Sequence, residues 1–242
     1  AKTVRVDACG LQCPGPILKM KKTMDTLASG ERVEITSTDP GFPRDAAAWC
    51  NSTGNQLISK EATGGKSVVV IEKGEPKSCN IVTSCEGKGK TFIMFSDDLD
   101  KALATFVLAN GAAATGQKVT IFFTFWGLNV IKKLHKPNVE KDIFGKMFGM
   151  MLPSSSRKLK LSKMSMGGIG GKMMRYIMNR KGIDSLESLR QQALENGVEF
   201  IACQMSMDVM GVKQEELLDE VTIGGVATYM ERADNANINL FI

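Results

Sequence analysis

Cys13 stands in the run Cys13-Pro14-Gly15-Pro16, and the residues that follow turn helical at once, so a lone thiol is expected at the mouth of a helix. Pro14 and Pro16 support that placement. They lack N–H groups that a first helical turn leaves unpaired anyway, and their fixed φ suits the turn. Ile17, Met20, Met24 and Leu27 then recur on one face while Lys19, Lys21 and Lys22 face elsewhere. This spacing predicts an amphipathic helix over about 14–28, closed at Gly30. Unpaired N–H groups and the positive end of the helix dipole would lie beside the Cys13 sulfur, and both favour the thiolate. A thiolate is the form that attacks sulfur. Cys203 is the second candidate: it ends an expected strand over 198–202, and functional groups of open parallel sheets gather at the carboxyl ends of strands.

The remaining thiols carry less. Six unevenly spaced cysteines without a secretory context read as reduced thiols rather than a disulfide framework. Cys50, next to Trp49 on an expected helix, reads as structural. Cys9 and Cys85 are auxiliary candidates, and Cys79 and Cys85 lie on a flexible tether where a thiol could shuttle sulfur. The C-x3-C and C-x5-C spacings of Cys9, Cys13, Cys79 and Cys85 are not those of zinc knuckles, so neither a metal nor another cofactor is expected. The only histidine, His135, has no Cys, His or carboxylate companion at ligand spacing and reads as a surface residue, which argues against a Cys-His dyad.

These residues need elements to hold them. Strands are expected at 4–7, 32–37, 56–62 and 67–72, with the Cys13 helix and a second one, opening near Pro43 and ending before Gly54, between them. The order β-α-β-α-β-β implies a two-layer α/β sandwich over residues 1–73. Residues 74–89, rich in Gly, Ser and Lys, read as a linker. From 90 to 242 the elements lengthen and alternate: strand 91–95, helix 97–115, strand 118–125, a helix capped by Asp184-Ser185 and stopping at Gly197, strand 198–202, strand 221–223, helix 225–233 and strand 238–241. Such alternation implies a parallel sheet with helices on both faces.

Residues 143–183 break the pattern, with no Asp or Glu, nine Lys or Arg, and eight of the fifteen Met. Gly167-Gly168-Ile169-Gly170-Gly171-Lys172 fails as a phosphate loop, because Met166 and Met173 stand where Gly and Ser or Thr are needed. The stretch is read as a Met-rich, basic lid that closes over a partner, with Lys172 or Arg175 offsetting a negative charge at Cys203.

A net charge of +5 permits an acidic partner without demanding nucleic acid, and the poor aromatic content of the basic stretch argues against base stacking. The alternation Val4-Arg5-Val6-Asp7 reads as a strand rather than an apolar leader, and the most apolar run, 119–131, is too short to cross a bilayer. A cytoplasmic protein without nucleic-acid or membrane partners is expected.

The run Asp7-Ala8-Cys9-Gly10-Leu11-Gln12-Cys13-Pro14-Gly15-Pro16-Ile17-Leu18 resembles the TusA (SirA-like) sulfur-carrier family. The resemblance implies a persulfide on Cys13, handed to a partner; Cys9 departs from many members and leaves room for a local disulfide or a second relay thiol. From Lys90 on, Thr124-Phe125-Trp126-Gly127-Leu128, Met164-Ser165-Met166-Gly167-Gly168, Ala202-Cys203-Gln204-Met205-Ser206-Met207 and Gly224-Gly225-Val226-Ala227 resemble the DsrE-like (DsrE/DsrF) family in its longer, Met-rich branch. That resemblance implies a flavodoxin-like or Rossmann-like fold, a sulfur-binding Cys203 and a homo-oligomer through the larger domain. Such fusions occur appended to coenzyme A disulfide reductase and rhodanese modules, which fits a chain that starts at Ala1. The combined expectation is a sulfur relay between Cys13 and Cys203, fed by a persulfide donor such as a rhodanese or cysteine desulfurase and drained by an acceptor protein. Its rivals are a thiol–disulfide oxidoreductase serving a coenzyme A disulfide reductase-type system and a basic membrane- or RNA-binding module.

Overall fold

The computed structural model describes residues 2–11, 15–74, 89–135, 137, 139, 141 and 143–242. Cys13, Pro14, Cys79 and Cys85, with the readings made for them, lie outside the described residues. Contacts divide the chain into two units, one comprising residues up to 86 with Ile223–Asp234, the other 87–222 with Asn235–Ile242.

The first unit runs β1 (Thr3–Asp7), α1 (Gly15–Asp25), β2 (Arg32–Ser37), α2 (Phe42–Thr53), β3 (Gln56–Thr63) and β4 (Lys66–Glu72). Its sheet has the order β1-β2-β4-β3, with β1 parallel to β2 and the other pairs antiparallel. β2 and β4 alternate buried and half-buried residues, so Val33, Ile35, Val69 and Ile71 face a core shared with Ile17, Met20 and Met24 of α1 and Phe42, Ala46 and Cys50 of α2. Each helix is closed by a specific group. Lys73 donates Nζ–H to the carbonyls of Met24 at 2.8 Å and Leu27 at 2.5 Å, a cation on the carbonyl end of α1, and Gly54 ends α2 in the left-handed region. Gly64-Gly65, both at positive φ, make the two-residue turn between β3 and β4.

The second unit holds β5 (Gly89–Met94), α3 (Leu99–Ala114), β6 (Val119–Phe123), α4 (Ile143–Met151), α5 (Ile169–Arg180), α6 (Leu186–Glu195), β7 (Glu199–Cys203), α7 (Gln204–Met210) and, after β8 (Thr222–Gly224), where the division falls, and α8 (Val226–Asp234) in the first unit, β9 (Ala236–Phe241). The sheet order is β8-β7-β6-β5-β9, with β9, β5, β6 and β7 paired in parallel. β6 is buried at every position, as a central parallel strand must be. Phe106, Phe123 and Phe200 meet with ring centroids 5.4–6.4 Å apart and anchor the core. The chain is thus α/β throughout.

The structure departs from the sequence-based boundaries in three places. Helix α8, read as part of the larger domain, packs on α2: Asp45, 1% exposed, accepts hydrogen bonds from Gly225 N at 2.9 Å, Thr228 N at 3.1 Å and Thr228 Oγ1, and Asn51 donates to Glu231 at 3.0 Å. The chain leaves β6 at Phe123 for a 3-10 run over Phe125–Ile131 instead of extending the strand to 125. A Cβ on Gly127 would sit 1.9 Å from the Met94 carbonyl oxygen, so only glycine permits that close turn. Residues 143–183, read as a lid, form α4, α5 and short 3-10 turns. They are tied down by Ser162 on Asp100 at 2.6 and 2.9 Å, by Lys160 O on Leu99 N at 2.7 Å and by Arg175 on Glu187 at 3.2 Å. An acid-free stretch takes its counter-charges from elements outside it.

Candidate functional site

The turn after β1 is held at each residue. Asp7 Oδ1 accepts the Cys9 N–H at 2.9 Å, Gly10 at φ +77° donates its N–H to Thr38 Oγ1 at 2.9 Å, and Lys19 of α1 donates Nζ–H to the Asp7 carbonyl at 2.6 Å. Cys9 is half-buried. The Asp7 carboxylate, as a hydrogen-bond acceptor, pushes the Cys9 thiol up from its ordinary value, with partial desolvation and the Asp7 charge adding to it, while Lys66 pulls the other way and is outweighed. Conversely, the Cys9 backbone and side-chain hydrogen bonds hold the Asp7 carboxyl below the usual carboxylate range. Pro16 is buried in the first turn of α1, which opens at Gly15, two positions beyond Cys13 in the chain. A cleft of about 300 Å³ lies along Thr38, Asp39, Pro43, Gly64 and Lys66 of this unit.

Cys203 closes β7 and occupies the N-cap position of α7. Parallel register pairs Phe123 with Ala202, so Thr124 and Cys203 are the next positions on neighbouring strands, at the carboxyl edge of the sheet. The residue is 6% exposed, and Met207, one helical turn on, is 3% exposed. Beside it Thr124 Oγ1 and Ser206 Oγ share a hydrogen bond of 2.8 Å, with Ser206 fully buried. Gln204 donates to Asp208 at 3.0 Å, and its buried Oε1 has no hydrogen-bond partner among the described residues.

The other candidates separate from these two places. Cys50 is buried in the first core, and desolvation pushes its thiol up to about 12, so it stays protonated. Lys172 and His135 are exposed. Arg175 is committed to Glu187 and to the Ser156 carbonyl at 3.0 Å; burial raises the Glu187 carboxyl, but Arg175, together with backbone and Ser156 hydrogen bonds and with Arg190, holds that group below its ordinary value. Asp7 and the Thr124–Ser206 pair were not singled out from the sequence. Asp two residues before Cys9 is the spacing of a side chain that accepts its own backbone N–H two residues on, a signal that was available; the hydroxyl pair, 82 positions apart, left none. At the carboxyl end of β5 a cleft of about 750 Å³ is lined by Asp97, Trp126, Met150, Met151 and Lys160, without Cys203. Burial pushes the Asp97 carboxyl up there, against a hydrogen bond from Asn129 at 2.9 Å. Among the described residues no helix is long and apolar enough to cross a membrane.

Comparison with known proteins gives matches on both sides of the putting-together. A YrkE protein of Bacillus subtilis (strain 168) is 44% identical over 155 residues, 64% of this chain and 97% of its own length. The sulfur carrier protein DsrE2 of Allochromatium vinosum is 38% identical over 161 residues, 65% of this chain and 99% of its own length. The sulfur carrier protein TusA of the same organism is 43% identical over 68 residues, 28% of this chain and 90% of its own length. The sequence profile of the sulfurtransferase TusA matches residues 4–73. With the profile of the DsrE/DsrF/DrsH-like family matching residues 87–241, the chain belongs to that family and carries a TusA domain ahead of it.

Proposed function

We propose that the chain is a sulfur relay in which Cys13 takes up a sulfane sulfur and exchanges it with Cys203. The observation that carries this reading is that each part has a relative named a sulfur carrier, with Cys203 at the end of a strand that leads into a helix and Cys13 two positions ahead of α1 in the sequence. Two positions separate Cys13 from the first residue of α1, where unpaired N–H groups favour an anion. The thiolate attacks the outer sulfur of a persulfide R–S–SH; an S–S bond forms on Cys13, the donor S–S bond breaks, and R–S⁻ leaves with no net oxidation. The second step repeats this between Cys13–S–SH and the Cys203 thiolate and regenerates the Cys13 thiolate. A rhodanese or a cysteine desulfurase is the class of donor, and an acceptor protein drains the relay. We place the protein in the cytoplasm and read it as self-associating through the larger unit, where Met150, Met151, Met164 and Met166 are 67–85% exposed.

The test is peptide-resolved mass spectrometry after incubation with inorganic polysulfide. Gains of ~32 Da on the Cys13 and Cys203 peptides are expected, and Cys13→Ala or Cys203→Ala alone should stop transfer to an acceptor without unfolding the chain. A loss of ~2 Da with no sulfur adduct would replace this reading with dithiol–disulfide chemistry.

A further inference from the structure

The sheet of the second unit turns at β5: β6, β7 and β8 lie to one side of it and β9 to the other. Ligands of open parallel sheets settle beyond the carboxyl ends of the strands at such a point. There the segments that follow β5 and β6 wall one side of the cleft of about 750 Å³, with Asp97 three positions past Met94 and Trp126 three past Phe123. Its other wall is drawn from the stretch 149–165. We propose that this cleft binds a small zwitterionic peptide or amino acid, with its ammonium on Asp97, its carboxylates toward Lys158 and Lys160, and its apolar middle against Trp126, Leu152 and Leu161. None of the described residues that line it is a cysteine, so the site stands apart from the relay.

Charge and polarity in the cleft suit such a ligand. Asp97 is half-buried and accepts a hydrogen bond from Asn129 Nδ2 at 2.9 Å, while Asn129 Oδ1, on a fully buried side chain, has no hydrogen-bond partner among the described residues. This corner offers acceptors, and an ammonium brings three donors. Asp98 beside it is already paired with Lys101 at 2.8 Å, whereas Asp97 forms no ion pair among the described residues. Burial pushes the Asp97 carboxyl up, against the Asn129 bond and with the Asp98 charge adding to it, and a bound cation relieves that penalty. Lys158 and Lys160 are exposed and likewise form no ion pair among the described residues, which leaves both open to carboxylates. Trp126 is 42% exposed, a large ring left bare inside a concave site. Phe125 before it is held at φ +47°, a strained setting for a bulky residue, with its ring 5.4 Å from that of Phe95. One unpaired carboxylate and two unpaired lysines match a ligand that carries one ammonium and two carboxylates.

S-methylglutathione is the probe: it carries one ammonium, two carboxylates and a thioether, and it has no sulfur to exchange with a cysteine, so the outcome is the same whether or not the relay holds. Titrated into the full chain by calorimetry, it should bind saturably with a Kd below about 1 mM, and it should change the emission of Trp126. N-acetyl-S-methylglutathione, which lacks the ammonium, should bind about 10-fold more weakly, and Asp97→Asn should weaken the unmodified probe by about the same factor. Lys158→Ala combined with Lys160→Ala should weaken it about 5-fold. The two probes compared on the wild type decide even where Asp97→Asn does not fold. Equal affinity for both overturns the proposal, as does the absence of saturation up to about 10 mM. An emission change that survives Trp126→Phe arises at Trp49 and overturns the placement as well.

Discussion

The turn after β1 and the end of β7 are both strand-to-helix passages in parallel pairs, and they treat a thiol in opposite ways. At the first, Cys9 is half-buried, an ionised carboxylate sits on it, and two lysines stand by. At the second, Cys203 is 6% exposed, followed by the buried Ser206 and Met207 and braced by a pair of neutral hydroxyls. Charge at an exposed turn shifts how readily a thiol ionises, an effect that water weakens. Burial at a strand end changes which sulfur can be reached. A relay needs both: a place where sulfur meets other molecules and a place where it is kept from them.

The contrast breaks most readily in an alkylation experiment. With Cys9 and Cys203 peptides followed in one native sample at pH 8, Cys203 should react at least about 100-fold more slowly than it does in denaturant, the factor an opening cost of about 3 kcal/mol would give. Cys9, half-buried and with its thiol pushed up, should be slowed far less. If Cys203 reacts as fast as Cys9, burial is not what distinguishes the two places, and the end of β7 opens far more readily than its packing indicates.

Much of this frame was readable from residue order. The alternation at Arg32–Ser37 and Lys66–Glu72 and the three-and-four spacing of Ile17, Met20 and Met24 fix strands and helix to within a few residues, because one face of each is buried and the other is not. Cys203 at the end of its strand followed from the same reasoning. The stretch over 143–183 did not yield, because α4 has apolar residues on its exposed side as well, with Met147, Met150 and Met151 all exposed, so the contrast that marks a helix is absent. Its anchors, Asp100 and Glu187, come from other elements. The placement of α8 rests on Asp45, whose partners Gly225 and Thr228 lie 180 and 183 positions away, beyond any local pattern.

A third thiol sharpens the comparison by isolating burial from charge. Cys50 is pushed up to about 12 by desolvation, above the ordinary thiol value of 9.0. Between those values the unfolded chain releases this proton and the folded chain keeps it, so stability is full below pH 9 and falls as pH rises, by at most about 1.4 kcal/mol per pH unit. Urea unfolding of the first unit from pH 8 to 11 should show that decline, and Cys50→Ala should flatten it while lowering stability at pH 8 by about 1 kcal/mol for the lost packing. A slope unchanged by Cys50→Ala would assign the alkaline loss to another group. Cys9 contributes in the same direction, but its exposure to water makes its share the smaller.

The smallest effect tests whether the Thr124–Ser206 bond itself keeps Cys203 closed. Both hydroxyls are buried, and each is the other's side-chain partner at 2.8 Å. Thr124→Val or Ser206→Ala alone leaves one hydroxyl without its partner and should cost about 1–2 kcal/mol. The double replacement removes both groups and should cost less than the sum of the two singles. Because Thr124 and Ser206 flank the end of β7, that loss should fall on local opening, and Cys203 alkylation should accelerate about 5- to 30-fold in either single variant. Acceleration of Cys203 with no change at Cys9 locates the bond's action at the strand end. Equal acceleration of both, or none at Cys203 despite a measured loss of stability, would mean that the hydroxyl pair supports the core of the sheet and that burial of Cys203 depends on the packing of Met207 and Met210 instead.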